Sequence, residues 1–179
     1  MFRSEGVAQL EVSEPNNIEM KVIKENIVDF LMMGQLKNFP FHTDLITVVN
    51  ALGDNPGWIV PISKSDSRTA LVKYGRTELY FEENQKLWGV QITSSRQAPK
   101  RALAMDYQEL KKSLSYNRTK IFLSKNNIGF EEKASEYDKN DRVIKTQGQV
   151  IFYFDNNGRI DKFGRFLTAA ECSLSRSEF

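Results

Sequence analysis

Ala70-Leu-Val-Lys-Tyr-Gly-Arg-Thr-Glu-Leu-Tyr-Phe-Glu-Glu-Asn-Gln-Lys-Leu87 aligns without a gap on Val143-Ile-Lys-Thr-Gln-Gly-Gln-Val-Ile-Phe-Tyr-Phe-Asp-Asn-Asn-Gly-Arg-Ile160, at a constant offset of 73 residues. Gly75 falls on Gly148, Tyr80-Phe81 on Tyr153-Phe154 and Asn84 on Asn157, while Glu82 meets Asp155 and Lys86 meets Arg159. Each stretch has the pattern strand, glycine break, strand, polar turn, strand. A unit repeated at this length predicts two similar modules contributing to one extended antiparallel sheet, and such sheets bind more often than they catalyse. Tyr, Phe, Gly and Asn are also what any hairpin needs, so the identities alone do not separate duplication from the general likeness of β-meanders.

Working outward, Thr43 opens a helix in which Leu45, Val48, Val49 and Leu52 share a side. Gly53 is placed to end that helix and Pro56 to prevent its continuation. Asp54 to Asp66 is expected to be a loop anchored by Trp58 and Ile59. A second helix is expected from a capping pair, Asp106 and Glu109, with Tyr107, Leu110, Leu114, Ile121 and Phe122 on one face and Asn126-Asn-Ile-Gly129 ending it. Ile128 to Lys133 suits a short strand. Ile18 to Met33 is open to both readings: its apolar spacing fits a helix, whereas Val22, Ile23, Ile27 and Val28 favour a strand. The expected fold class is α+β, with two helix–loop–antiparallel β-meander modules sharing or abutting one sheet and helices on one face. The divisions are residues 1–17 as a flexible arm, 18–93 as the first module, 94–100 as a polar linker, 101–167 as the second module and 168–179 as a frayed tail.

Of 179 residues, 40% are hydrophobic and 27% charged, the balance of a folded domain. No apolar run approaches the roughly 20 residues needed to cross a bilayer, and the start of the chain lacks the basic and apolar regions of a signal peptide. The single Cys172 allows no internal disulfide and suits a reducing compartment. These features predict a cytoplasmic protein. Residues 1–95 carry 9 basic and 12 acidic groups, and residues 96–179 carry 16 and 11. That asymmetry can steer an encounter but is too mild to predict a nucleic-acid-binding domain.

Catalytic chemistry finds little support. The lone His42 precedes a helix with no nucleophile or orienting carboxylate near it in sequence. One His and one Cys make no common zinc site. Glu82-Glu83 and Glu131-Glu132 belong in turns or loops as solvated pairs, and no phosphate loop or dinucleotide fingerprint is present. The expectation is therefore a protein that is no enzyme and takes no cofactor or metal.

Strand alternation indicates binding instead. Leu79 and Phe81 share one face with Val150, Phe152 and Phe154, which the helices should cover. The opposite face then displays Tyr80 and Tyr153 at equivalent places, with Trp88 and Ile151 beside them and Arg76 and Lys162 as charged rim. Tyr and Trp combine large apolar area, a polar tip and few rotors, which suits a protein-binding surface. These six residues are the candidate partner site; the alternative is that the aromatics are cross-strand pairs covered by a loop or by the N-terminal arm. A rival reading has Tyr80, Trp88 and Tyr153 stacking bases along a groove lined by Arg142, Lys145, Arg159, Lys162 and Arg165.

The helix ending Leu52-Gly53, then Asp54-Asn-Pro56, Lys73-Tyr-Gly75 and Glu78-Leu-Tyr-Phe81, resembles a small bacterial family encoded beside polymorphic toxins. Those proteins are immunity proteins, including ones of contact-dependent growth inhibition systems. Over residues 43 to 166 the helix-then-meander unit is also similar to that of the β-lactamase inhibitor protein and of small outer-membrane assembly lipoproteins. The inhibitor's two disulfides cannot form here and the lipoprotein signal is missing, as suits a cytoplasmic relative. The resemblance implies a 1:1 complex with a cognate protein toxin, with no membrane or nucleic-acid partner; it leaves any homo-oligomer open. Near-neutral charge implies a toxin that is not a nuclease, or one blocked away from its basic cleft.

Overall fold

The computed structural model describes residues 22–52, 59–63, 66–93, 103–106, 110, 115–134 and 142–174. The chain is α+β and mostly sheet. In order it forms β1 (Ile23–Asn26), α1 (Ile27–Met33), α2 (Leu45–Leu52), β2 (Ile59–Ser63), β3 (Asp66–Tyr74), β4 (Thr77–Phe81), β5 (Leu87–Thr93) and β6 (Leu103–Asp106). It continues with α3 (Tyr116–Lys125), β7 (Phe130–Ala134), β8 (Arg142–Thr146), β9 (Ile151–Phe154), β10 (Ile160–Phe166) and α4 (Ala169–Leu174). Eight strands make one sheet in the order β2-β3-β4-β5-β10-β9-β8-β7, and each neighbouring pair is antiparallel. β1 and β6 pair in parallel as a separate two-stranded sheet.

The strand order is a palindrome about the β5–β10 pair, and local hydrogen bonding follows it. Glu82 N–H donates to the Lys86 carbonyl at 2.9 Å, as Asp155 N–H does to Arg159 at 2.8 Å. Left-handed Gln85 (φ 61°) and Gly158 (φ 68°) sit in these turns. Their carbonyls accept from the first helical amides, Leu45 at 2.9 Å and Tyr116 at 2.8 Å. Trp88 is an extra residue opposite Tyr80-Phe81, and Asp161 is an extra residue opposite Tyr153-Phe154, so both inner strands bulge at the same place. The hairpins differ. Gly75 (φ 64°) supplies the positive φ of the tight β3–β4 turn, whereas in the β8–β9 connection Gln149 (φ 63°) takes it and Gly148 does not.

Sheet and helix residues share a continuous core. Val72, Leu79, Phe81, Leu87, Val90, Ile144 and Phe152 are buried with Phe30 and Leu31 of α1, Val48 and Leu52 of α2, and Phe122 and Leu123 of α3. Phe152 stacks on Phe163 at 4.9 Å between ring centroids. Burying each such side chain contributes about 1.5–3 kcal/mol. The C-terminus of α1 docks on the β8–β9 connection. Thr146 Oγ1 donates to the Leu31 carbonyl at 2.8 Å, and a Cβ added at Gly148 would stand 2.6 Å from both Gly34 N and Leu31 O. Backbone meets backbone there, which is why residue 148 has no side chain.

Several expectations are corrected. Ile18 to Met33 is neither helix nor strand throughout: within the described part Asn26 ends β1 and caps α1, accepting from Val28 N–H at 2.8 Å. The expected loop from Asp54 to Asp66 contains β2, whose Ile59 pairs with Val72. Asp106 is the last residue of β6 and Leu110 is helical, while Tyr107, Glu109 and Leu114 of the expected capping pair and apolar face lie outside the described residues; the described helix α3 starts at Tyr116 behind Ser115. Its buried side is Thr119, Phe122 and Leu123, while Ile121, placed on the apolar face by its spacing, is 67% exposed. The tail is helical over Ala169–Leu174, because Thr168 and Glu171 bond reciprocally as a capping box. The arm 1–17, the linker 94–100, Gly53, Pro56 and Trp58 lie outside the described residues.

Candidate protein-binding sheet face

On the other side of the sheet, cross-strand pairing lays out three rows. The first is Leu71, Tyr80, Gly89 and Phe166. The second is Lys73, Glu78, Gln91, Gly164, Ile151, Lys145 and Glu131. In the third, Thr93, Lys162 and Tyr153 are neighbours, and the Arg76 carbonyl, in the β3–β4 turn, accepts from Thr93 N–H at 3.0 Å. With strands about 4.8 Å apart, the face from β3 to β8 is about 24 Å wide.

At one end of this face three rings pack together. Tyr80 and Phe166 have centroids 4.9 Å apart, Trp88 and Phe166 5.1 Å, and Tyr80 and Trp88 6.3 Å. Gly89 makes the arrangement possible, because a Cβ there would run into the Phe166 ring. The bulge turns Trp88 onto the same side. At these separations the rings touch one another and leave no cage for a ligand between them, so the cluster is a packed apolar knob. Phe166 is 37% exposed and Tyr80 and Trp88 are half-buried.

Beside the knob, Glu78 is buried and fully engaged. Its carboxylate accepts from Lys73 Nζ at 2.7 Å, Gln91 Nε2 at 2.8 Å and Tyr80 Oη at 3.0 Å. Burial, and then the charge of Glu78 and the bond to it, hold the Tyr80 hydroxyl well above the ordinary phenol range. It therefore stays a donor to Glu78. Farther along, Lys162 lies over the Tyr153 ring at 5.4 Å, and Ile151, half-buried, links Tyr153 to Lys145.

Five of the six expected site residues thus share this face, in two groups. Tyr80 and Trp88 belong to the knob; Ile151, Tyr153 and Lys162 form a cationic patch across the seam. Arg76 sits in a turn at the rim, away from the knob. The sequence reading missed Phe166. Its counterpart at the 73-residue offset is Thr93, so comparing the two stretches hides it, although the alternation Lys162, Gly164, Phe166 from a known face residue would have found it.

Among the described residues no three His, Cys, Asp or Glu side chains are grouped as a metal site requires. A shallow hollow between β7 and β8, lined by Gly129, Phe130, Glu131, Lys145, Thr146, Gln147 and Gln149, holds Glu131 as its lone carboxylate. Tyr116 is pushed up to about 12, by burial and then by its bond to Glu132. Its bond to Glu132, together with Lys120 at 2.7 Å from the same carboxylate, fastens α3 to β7. No described helix is long and apolar enough to cross a membrane. Comparison of the chain with family models, curated proteins and solved structures gave no match.

Proposed function

We propose that this chain is a non-catalytic immunity protein of the bacterial cytoplasm, which neutralises a cognate protein toxin by covering its working surface with the open sheet face. The observation that carries this reading is the Tyr80–Trp88–Phe166 knob, three packed aromatic rings on the sheet face with Phe166 37% exposed and Tyr80 and Trp88 half-buried. Large rings with few rotors lose little entropy on binding and are the side chains that dominate interface energetics. The cost of keeping Phe166 in water is about what its burial by a partner would recover. Inhibition needs no chemistry of its own: a standard interface of about 800 Å² per partner occludes a site sterically.

The two halves are proposed to descend from one duplicated helix–meander unit, with both helices laid on the same side of the sheet. The palindromic strand order, the matching turns and bulges and the common core of helix and sheet residues support this. The nucleic-acid reading has less in its favour, since the buried carboxylate of Glu78 lies beside the rings on which bases would stack.

The test is co-expression with the product of the adjacent reading frame, the expected toxin, scored by growth, and titration of the two purified proteins. Wild type should protect and form a 1:1 complex. Tyr80→Ala with Tyr153→Ala, and Phe166→Ala alone, should weaken binding at least tenfold while leaving the far-ultraviolet spectrum and unfolding cooperativity unchanged. Folded variants that protect as well as wild type would remove the face from the mechanism.

A further inference from the structure

The ionisable groups on this face are unevenly used, and that unevenness specifies the partner. Lys73 is paired with Glu78 at 2.7 Å, and Lys133 with Glu131 at 2.7 Å. Glu78 is therefore consumed inside the sheet, and Glu131, itself exposed, is balanced by Lys133. Lys145 and Lys162 are left over: among the described residues neither makes an ion pair. Both are half-buried, with Ile151 and Tyr153 between them across three adjacent strands. Asp161, exposed in the bulge beside Lys162, offsets one charge. The excess on this half of the face stays positive, while the half built on β3–β5 presents the uncharged knob.

We infer that the face is built for a protein whose complementary surface is acidic, carboxylates meeting Lys145 and Lys162 while an apolar hollow takes Phe166 and Tyr80. This rests on the reading of the face as the toxin-binding surface and adds the chemistry of the toxin's side. Lys162 Nζ already lies over the Tyr153 ring and Lys145 stands across from Ile151, both half-buried, so less rotamer freedom is lost when carboxylates arrive than at fully exposed lysines. A basic partner would meet two cations and, in these rows, only one exposed carboxylate, Glu131, already balanced by Lys133. The knob supplies residence time through apolar burial, and the cations supply orientation and encounter rate.

The experiment measures association and dissociation rates of the full-length chain with the purified product of the adjacent reading frame at 50 and 300 mM salt. Wild type is compared with Lys145→Glu plus Lys162→Glu, with the milder Lys145→Gln plus Lys162→Gln, and with Lys37→Glu as a charge-matched control away from the face. The expected result is an association rate that falls tenfold or more for the double reversal and severalfold for the neutral pair, with Lys37→Glu close to wild type. The salt dependence should shrink in parallel, and thermal unfolding shows which variants are folded. Tight wild-type binding that is indifferent to salt and to both double variants overturns the acidic-partner inference and leaves the toxin reading standing. Faster association of the reversal identifies a basic partner and overturns it as well. No wild-type binding at micromolar concentration overturns both readings. A single-stranded oligonucleotide bound through the same two lysines would put nucleic acid in the protein's place.

Discussion

Gly148→Ala isolates the joint between α1 and the second half of the sheet. Gly148 does not use positive φ, so its backbone is open to alanine, and on chain entropy alone the substitution would stabilise by about 0.4–1 kcal/mol. The structure reverses the sign. The new Cβ would lie 2.6 Å from Gly34 N, 2.6 Å from Leu31 O and 2.9 Å from Met32 C. All three are backbone atoms of a capped helix end, so none can swing aside as a flexible side chain would. α1 must back away, straining a packed contact at about 1–3 kcal/mol and giving up the Thr146–Leu31 hydrogen bond at about 1 kcal/mol. The expected loss is about 2–4 kcal/mol, or roughly 5–15 °C in Tm for a chain of this size. Gly158→Ala is the control. It sits at φ 68° with nothing within 4 Å of a new Cβ, so only the left-handed conformation counts against it, at about 1 kcal/mol. Urea unfolding of both variants, followed by circular dichroism, gives the comparison. A Gly148→Ala protein as stable as wild type, or no less stable than Gly158→Ala, refutes the docking argument.

Glu25 is 3% exposed and its carboxylate accepts from Lys37 N–H, Asn38 N–H and Asn38 Nδ2, each at 2.9 Å. Glu25→Ala orphans these donors and should lower stability by about 2–4 kcal/mol, against under 0.5 for the exposed Glu131→Ala; equal effects in urea titrations would contradict this role. Glu171 is held below the ordinary carboxylate range by the Thr168 N–H first and Arg165 among other causes. Its contribution is present above the unfolded value near 4.3 and is lost as pH falls through the depressed folded value. Acid titration by NMR should release α4 there, and a Thr168 amide that ignores this range, or an unchanged profile in Glu171→Gln, would count against it. Tyr80 titrates late because its folded value is raised, so its contribution holds below about pH 10 and fades as pH rises through the raised value. Absorbance near 295 nm should show the Tyr80→Phe protein losing a late phase, and loss of an early one would be the wrong result.

What could be read in advance was set by local physics. Period-two alternation placed Tyr80 and Tyr153 opposite Phe81 and Phe154, and the 73-residue spacing coincides with the turns at Gln85 and Gly158. Gly75 and Gly148 match for different reasons: the first turns the chain, the second clears room for a helix end 115 residues away in sequence. That close approach has no local signature. Nor has the parallel pairing of β1 with β6, which joins segments 80 residues apart. Pro61 hid β2, since proline is tolerated on the edge strand that β2 forms. The knob was legible only by half: Trp88 required a bulge to reach its face, and Phe166 has a threonine for a counterpart.

The seam between β5 and β10 also governs how the molecule is made. When Leu87–Thr93 leaves the ribosome, the strand that must lie beside it is still some 70 residues from being synthesised. At 5–20 residues per second, that inner edge waits for about 4–15 s with its amides and carbonyls bare. During this interval a second nascent copy can offer the same strand, and an exchanged dimer would satisfy every bond of the seam. Slower translation or closer-spaced ribosomes should therefore raise the share of exchanged dimer, which size-exclusion chromatography of the expressed chain would show.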